Sequence, residues 1–160
     1  MDLSPAHENA RITACRVPAL QASLDLLVQA DPQLPGRATI HLYGGTRPAA
    51  GESTAEPIIV SIPMTDTAGT VLGDPDYRIE ITTPLEAQID GADPATGTIP
   101  TWARIEGPDG AWWADASVTV EGGGGEIQLV ATGQEGDPLA DVARLYNGAF
   151  ARIASAVLQG

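Results

Sequence analysis

The stretch that decides the fold is Thr101-Trp-Ala-Arg-Ile-Glu-Gly-Pro-Asp-Gly-Ala-Trp-Trp-Ala-Asp115. Its two apolar arms flank Gly107-Pro108-Asp109-Gly110, and an Asp-Gly pair supplies the positive φ that a tight hairpin turn needs. All three tryptophans of the chain, Trp102, Trp112 and Trp113, lie in these arms. Aromatic pairs across a hairpin add about 0.5–1.5 kcal/mol beyond their burial. The stretch therefore predicts a β-hairpin at the centre of the core.

Outward from this hairpin, short segments of β-type sequence recur. Apolar residues alternate with polar ones in several of them, which is the period of a half-buried strand. The predicted strands cover residues 37–43, 57–62, 77–82, 85–89 and 126–130. Eighteen glycines and 13 prolines mark the turns between them. This pattern predicts a mainly β domain, an antiparallel β-sandwich of the jelly-roll type. The side chains predicted to form its core are Ile40, Leu42, Trp102, Ile105 and Leu129.

The N-terminal region differs in pattern. Residues 1–16 are mixed and polar, which predicts a poorly ordered or extended arm. From Val17 to Val28 the apolar residues fall at helical spacing, which predicts a helix of about three turns. Pro18 suits the first turn of that helix, and Pro32 marks its end. The predicted domains are therefore residues 1–35, an arm with a short helix, and residues 36–160, the β-sandwich.

The C-terminal region leaves two readings open. Residues 139–146 carry apolar side chains at a spacing that fits one or two helical turns, and Asn147-Gly148 is a strong turn signal. Residues 149–158 fit either a continued helix or a last strand. Periodicity alone does not decide between them.

Charge excludes several classes of partner. The formal net charge is −13, and all eight basic residues are arginine. Affinity for nucleic acid comes from neutralising phosphates, so an acidic chain argues against that partner and against an anionic membrane surface. No apolar run is long enough to span a bilayer, and no secretory signal is apparent. A single cysteine, Cys15, forms no intrachain disulfide and fits synthesis in a cytosol.

The sequence lacks the motifs of the common catalytic and metal sites. His7 and His41 are its only histidines, and it contains no Gly-x-Ser-x-Gly elbow and no paired-cysteine or His-Glu-x-x-His zinc motif. Acidic loops at 66–76 and 90–93 offer oxygen atoms that Ca²⁺ accepts, although Asp is also the usual capping residue of solvated turns. The pairs Glu80/Glu86 and Asp109/Asp115 have no fixed separation that would indicate a glycosidase. We therefore predict no catalytic residue, no cofactor and no metal.

The order of motifs resembles a family of small proteins encoded in the structural gene clusters of tailed phages and prophages. The resemblance rests on Gly36-Arg-Ala-Thr-Ile-His-Leu-Tyr-Gly-Gly-Thr-Arg-Pro48, on Ala95-Thr-Gly-Thr-Ile-Pro-Thr-Trp-Ala-Arg-Ile-Glu-Gly-Pro-Asp-Gly110 and on Gly125-Glu-Ile-Gln-Leu129. It covers about residues 17–158. The departures are Ile99-Pro100, the Trp112-Trp113 pair and extra residues around 134–146. The resemblance implies a β-sandwich virion protein and favours a strand at 149–158.

The function expected is that of a phage virion structural protein, a capsid decoration or cement protein. Its expected partners are the major capsid protein and further copies of itself, and its location is the virion after synthesis in the host cytoplasm. The alternatives are a tail or baseplate component and a carbohydrate-binding β-sandwich. Adjacent residues on a strand point to opposite faces, so at most one of Trp112 and Trp113 is expected in the core. The predicted contact residues are Trp112, Trp113, Leu20 and Leu24.

Overall fold

The computed structural model describes residues 4–28 and 36–159. These residues form one helix and eleven strands. In chain order the elements are α1 (Pro5–Asp25), β1 (Thr39–Tyr43), β2 (Ile58–Pro63), β3 (Gly69–Leu72), β4 (Arg78–Ile81), β5 (Leu85–Gln88), β6 (Trp102–Glu106), β7 (Trp112–Val120), β8 (Ile127–Leu129), β9 (Gly133–Glu135), β10 (Ala140–Val142) and β11 (Phe150–Gln159). The chain is therefore mainly β with one N-terminal helix, as its composition predicts.

The helix is longer than its apolar pattern predicts. It begins at Pro5, where Ser4 acts as N-cap and its side chain accepts a hydrogen bond from the backbone N–H of His7. The prediction of a disordered or extended arm is therefore wrong for residues 5–16. Pro18 lies inside the helix rather than in its first turn. The predicted stop at Pro32 falls outside the described residues.

Nine strands form one sheet in the order β2-β1-β6-β7-β8-β11-β4-β3, and β5 also pairs with β11. The prediction of a purely antiparallel sheet is wrong, because β7 and β8 are parallel. The connector between them has only six residues, far fewer than the usual crossover. Its glycines allow it to fold back against Thr119, whose hydroxyl accepts a hydrogen bond from the N–H of Gly125. A Cβ on Gly125 would lie 2.8 Å from that hydroxyl oxygen.

The sheet curls so that β2 comes close to the segment that follows β5. The N–H of Gly91 donates to the carbonyl oxygen of Ile59 over 3.0 Å. A Cβ at position 91 would overlap the carbonyl oxygen of Ile58, so only glycine allows the two backbones this approach. Gly91 thus allows the close contact between the edge strand β2 and the segment that follows β5.

The core is a cluster of buried aliphatic side chains from the strands and from α1. Ile40, Leu42, Ile105 and Leu129 are buried there with other aliphatic side chains of the strands. Trp102 is also buried, at 1% exposure, but it lies on the opposite face of β6 from Ile105 and outside the aliphatic cluster. The hairpin therefore contributes to the core through one face of β6, and Trp102 on the other face belongs to a second, smaller cluster with Tyr43. The predicted core residues Trp102 and Ile105 are both buried. The two strands of the hairpin also contribute Ala103, Ala116 and Val118 to the aliphatic cluster, and of the two predicted residues only Trp102 lies outside it.

The described part of the C-terminal region consists of strands and turns and contains no helix. The predicted helical turns at 139–146 are wrong, since β9 and β10 form a hairpin there, with Gly136 at φ 91° in its turn. The strand reading of 149–158 is right. β11 pairs with β5 and β4 on its two halves and with β8 in its middle, so it joins three strands of the sheet. The helical spacing of the apolar residues did not predict the structure, because Leu139 is exposed in a turn and Leu145 is buried, so the two do not share one buried face.

Candidate functional site

The outer face of strands β1, β6 and β7 carries a connected set of polar and aromatic side chains. Tyr43 and Trp102 are cross-strand neighbours, and their rings stack with centroids 4.3 Å apart. The Trp102 indole N–H donates to the carbonyl oxygen of Gly44 over 3.1 Å. The segment after β1 therefore covers these two rings, which explains their burial away from the main core.

An almost buried ion pair lies beside the two rings. Arg104 donates from Nε and Nη2 to the two carboxylate oxygens of Asp115, over 2.8 and 2.9 Å. Arg104 also donates to the carbonyl oxygen of Glu52, so it ties the covering loop to the sheet. Burial acts to raise the pKa of Asp115, but hydrogen bonds from Arg104 and Trp112 outweigh it and hold that pKa below its ordinary value. The pair is ionised at neutral pH and fixes loop and sheet together.

The two adjacent tryptophans divide as strand geometry predicts. Trp112 is 45% exposed and donates its indole N–H to Asp115 over 3.1 Å. Trp113 is half-buried against the aliphatic core, and its indole N–H donates to the carbonyl oxygen of Ser23 in α1. Trp113 thus anchors the helix to its own domain, and Trp112 is the tryptophan available to a partner.

Leu20 and Leu24 are not available to a partner. Their side chains are 9% and 2% exposed and belong to the aliphatic core of the same chain. The prediction that they face another molecule is wrong. The helix packs on β3 and β4, which the sequence pattern did not reveal because β3 lies in a stretch with the composition of a loop.

Four of the eight large apolar side chains that are exposed in the described part of the chain lie between residues 130 and 150 of the sequence. Phe150 is 62% exposed and Tyr146 43%, and Val130 and Leu139 are also exposed. Phe150 and Tyr146 line a groove of about 290 Å³ between the β9–β10 hairpin and the start of β11. We call this surface the Phe150 groove; its lining also includes Ile89, Val142, Leu145 and the Arg144–Glu135 ion pair.

The wall of the Phe150 groove is held in place by charge. Arg144 donates to both carboxylate oxygens of Glu135, over 2.6 and 2.7 Å, and to the carbonyl oxygen of Thr96. The hydrogen bonds from Arg144 lower the pKa of Glu135. Thr98 and Leu145 exchange two backbone hydrogen bonds of 2.8 Å beside it. The hairpin is therefore fixed to the sheet from two sides, and the groove is a preformed surface.

One row of side chains has the residue types of a hydrolase triad. Ser61 lies 2.8 Å from Nδ1 of His41, and Nε2 of His41 lies 3.5 Å from a carboxylate oxygen of Glu106. In serine hydrolases the nucleophile faces Nε2 and the carboxylate faces Nδ1, which is the reverse of this order. The three residues belong to three neighbouring strands, and we assign them to cross-strand pairing on a polar sheet face.

Several acidic residues of the predicted ligand loops and catalytic pairs bind to other groups of the chain. Asp93 accepts hydrogen bonds from the backbone N–H groups of Ala95 and Thr96, which lower its pKa. Glu80 pairs with Arg78 over 2.7 Å, and Asp109 accepts from the N–H of Ala111. In residues 4–28 and 36–159, no group of three or more His, Cys, Asp or Glu side chains is arranged to hold a metal ion. In the same part of the chain, no helix is long and apolar enough to cross a bilayer.

Comparison with known proteins adds no relative. Neither the family models, nor the curated proteins, nor the solved structures contain a match to this chain.

The Phe150 groove is the surface that the sequence analysis missed. One signal for it was present: in β11, Phe150 and Arg152 alternate with Ala151 and Ile153, so one set had to face outward. Ala151 and Ile153 are buried at 1% and 0%, and Phe150 is the exposed member. An aromatic residue on the outer parity of a strand was the available clue.

Proposed function

We propose that this protein is a structural subunit of a phage virion, a capsid decoration protein that binds the major capsid protein through the Phe150 groove. On this proposal it catalyses no reaction, and its curled sheet is a variant of the jelly-roll-like β-sandwich. The observation that carries the proposal is the groove itself. Two exposed aromatic side chains, Tyr146 and Phe150, lie at a groove whose floor includes the buried Ile89 and Leu145, and exposed aromatic residues beside an apolar floor are typical of a protein–protein contact.

The charge of the chain supports a protein partner with a basic surface. A net charge of −13 raises the rate of association with a basic patch and opposes binding to packaged nucleic acid. A shell protein that encloses DNA while presenting basic patches outward would attract this chain from outside. The resemblance of Gly36–Pro48 and Ala95–Gly110 to virion proteins of tailed phages points to the same location.

The rigidity of the framework supports a structural role. The Arg104–Asp115 pair and the stacked Tyr43 and Trp102 rings fix the covering loop, and the Arg144–Glu135 pair fixes the hairpin. A preformed binding surface loses little conformational entropy on association. Such a surface suits a subunit that must bind many equivalent positions on a particle.

Co-sedimentation with capsids that lack their own copy of the protein tests the proposal. Unmodified protein should bind to saturation. Phe150→Asp should raise the dissociation constant at least about tenfold, which corresponds to a loss of about 1.4 kcal/mol or more of binding free energy. Ile58→Asp is the matched control, because Ile58 is 40% exposed on another strand, outside the lining of the groove. Circular dichroism of both variants checks that they remain folded.

Two outcomes of the co-sedimentation experiment would contradict the proposal. If unmodified protein does not sediment with capsids, the decoration role is wrong, and the same assay with tails and baseplates tests that alternative. If Phe150→Asp binds like the unmodified protein, the groove is not the contact.

A carbohydrate-binding function is the second candidate, and Trp112 favours it. This exposed indole lines a concavity of about 500 Å³ together with Arg47 and Glu126, and sugars stack on such rings. Titration with soluble glycans, followed by tryptophan fluorescence, should then show saturable quenching that Trp112→Ala abolishes. Absence of quenching across a glycan panel would remove this candidate.

A further inference from the structure

Helix α1 has a second apolar stripe that the described residues of its own chain, 4–28 and 36–159, do not cover. Thr13, Val17, Leu20 and Leu24 face the sheet, and the residues between them form a stripe on the other side. That stripe, which we call the helix seam, consists of Ile12, Cys15, Ala19, Ala22 and Leu26. Its spacings of 3, 4, 3 and 4 are those of the contact positions in a coiled coil. Ile12 is half-exposed, Cys15, Ala19 and Ala22 are exposed, and Leu26 is 66% exposed.

The helix seam runs into the exposed tryptophan of the hairpin. Leu26 and Trp112 line the same small hollow, together with Gly107 and Asp109. Trp112 is 45% exposed. The apolar surface therefore extends from the middle of the helix to the turn of the β6–β7 hairpin.

The first two turns of the helix extend beyond its support. Every side chain from Ser4 to Arg11 is exposed. Beyond these turns, the Thr13 hydroxyl lies 2.8 Å from the Tyr77 hydroxyl, and Arg16 lies over the same ring. Short helical segments have little stability without tertiary packing. A partner that covers these turns would stabilise them.

We propose that the helix seam binds the same seam of a second copy, with the two helices antiparallel and Ala19 at the two-fold axis. Ile12 of each copy then packs on Leu26 of the other, and the unsupported first turns of one helix lie near Trp112 of the other. The small side chains of Cys15, Ala19 and Ala22 allow the helix axes to approach closely at the centre. An isologous contact of this kind closes as a dimer.

Charge selects both the partner and the direction. The helix carries Glu8, Arg11, Arg16 and Asp25, which sum to zero in a chain of net charge −13. Antiparallel pairing sets Arg11 of each copy near Asp25 of the other, and a parallel pair would instead set Arg11 against Arg16. The helix is therefore a stretch where two copies of this acidic chain meet without repulsion. The contact deepens the proposed function, on which its use in the particle rests, but it is measurable on the free protein.

Sedimentation equilibrium of the purified full chain tests the contact. Unmodified protein should show a reversible monomer–dimer equilibrium, and Ala19→Glu should raise its dissociation constant about tenfold or more. Ala14→Glu is the matched control, since Ala14 is exposed on the same helix but outside the seam. Monomer at every concentration for unmodified protein would overturn the proposal, and so would equal dimerisation of both variants.

Charge reversal tests the direction independently of folding. Arg11→Asp and Asp25→Arg should each weaken the dimer, and the double variant should restore it. The two positions are 14 residues apart, about 21 Å along one helix, so they cannot pair within a chain. Failure of the double variant to restore the dimer would refute the antiparallel arrangement.

Cross-linking gives a third readout. Cys15→Ser combined with Ala19→Cys should form a disulfide-linked dimer under mild oxidation, because position 19 lies on the axis. Unmodified Cys15 should not, since antiparallel pairing separates the two Cys15 side chains. A Cys15-linked dimer would instead indicate parallel helices and overturn the proposed direction. These assays contain no capsid, so their failure is distinct from failure of the capsid assignment.

Discussion

Replacing Trp102 by alanine tests the second cluster, the part of the fold that the main core does not explain. Trp102 is 1% exposed and stacks on Tyr43 with ring planes 9° apart. It also donates a hydrogen bond to Gly44, and the Arg104 guanidinium lies 5.7 Å from its ring centroid. The substitution removes all these contacts at once and leaves a cavity beneath the covering segment.

The magnitude follows from those contacts. Truncation of a buried tryptophan costs about 3–5 kcal/mol, which includes the cavity. For a chain of this length, each kcal/mol lowers the melting temperature by about 2–4 °C. Trp102→Ala is therefore expected to lower the melting temperature by roughly 6–20 °C. The loss should be largest if the covering segment stays in place and the cavity remains open.

Differential scanning calorimetry measures this shift, and Trp112→Ala is the matched control. Trp112 is 45% exposed, and its main contact is one hydrogen bond to Asp115, so its removal should cost only about 1 kcal/mol. A melting temperature for Trp102→Ala within about 4 °C of the unmodified value would refute the reasoning. Equal effects of the two substitutions would contradict the assignment of Trp112 to the surface and Trp102 to the interior.

Three further perturbations have defined outcomes. Asp115→Asn leaves Arg104, 10% exposed, without its charge partner and should lower the free energy of unfolding in urea by about 3–5 kcal/mol. A decrease of less than about 1 kcal/mol would show that water solvates Arg104 in place of Asp115. The pKa of Asp115 is lowered from its ordinary value of 3.8, so ionised Asp115 should contribute fully to the free energy of unfolding above pH 3.8. This contribution should fall as the pH drops through the pKa of the folded state, and Asp115→Asn should reduce the acid dependence of stability. Gly91→Ala forces a Cβ into the Ile58 carbonyl oxygen and should shift the urea midpoint down, whereas an unchanged midpoint would show that the sheet edge can open at no cost. Deleting residues 1–16 should leave the far-ultraviolet β signal and a cooperative transition, and loss of that transition would show that the first turns of the helix are required for folding.

Local patterns predict the strands well because alternation depends only on neighbouring residues. The period-2 segments at 37–43, 77–82 and 126–130 correspond to β1, β4 and β8. The turn at 107–110 forms as the Asp-Gly pair predicts, with Gly110 at φ 77°. Parity also separates Trp102 from Ile105, which are three residues apart and so face opposite sides. The alternation of side chains along a strand predicts this separation from the sequence, but it does not predict which side chains on the outer face become buried.

The features that the sequence does not predict depend on long-range contacts. The segment 44–54 is tied to the sheet by hydrogen bonds from Trp102 to the Gly44 carbonyl oxygen and from Arg104 to the Glu52 carbonyl oxygen, and no local sequence pattern specifies these contacts. The parallel pairing of β7 and β8 depends on a glycine-rich connector whose path is set by its contact with Thr119. Residues 5–16 lack an apolar stripe facing the sheet, so periodicity gives no sign of a helix there. Capping by Ser4 is the local signal that was present.

The two proposed surfaces have different residues and can act together. The Phe150 groove comes from residues 89 and 132–150, and the helix seam from residues 12–26 with Trp112 beside it. One helix face is smaller than the roughly 800 Å² per partner of a standard stable interface, so free protein should dimerise reversibly and only at the higher concentrations of the sedimentation-equilibrium experiment. Copies bound side by side on a particle would experience an effective concentration in the millimolar range, where a weak contact is occupied. The seam would then make binding to the particle cooperative, and Ala19→Glu should remove the cooperativity while leaving the first copy bound through the groove.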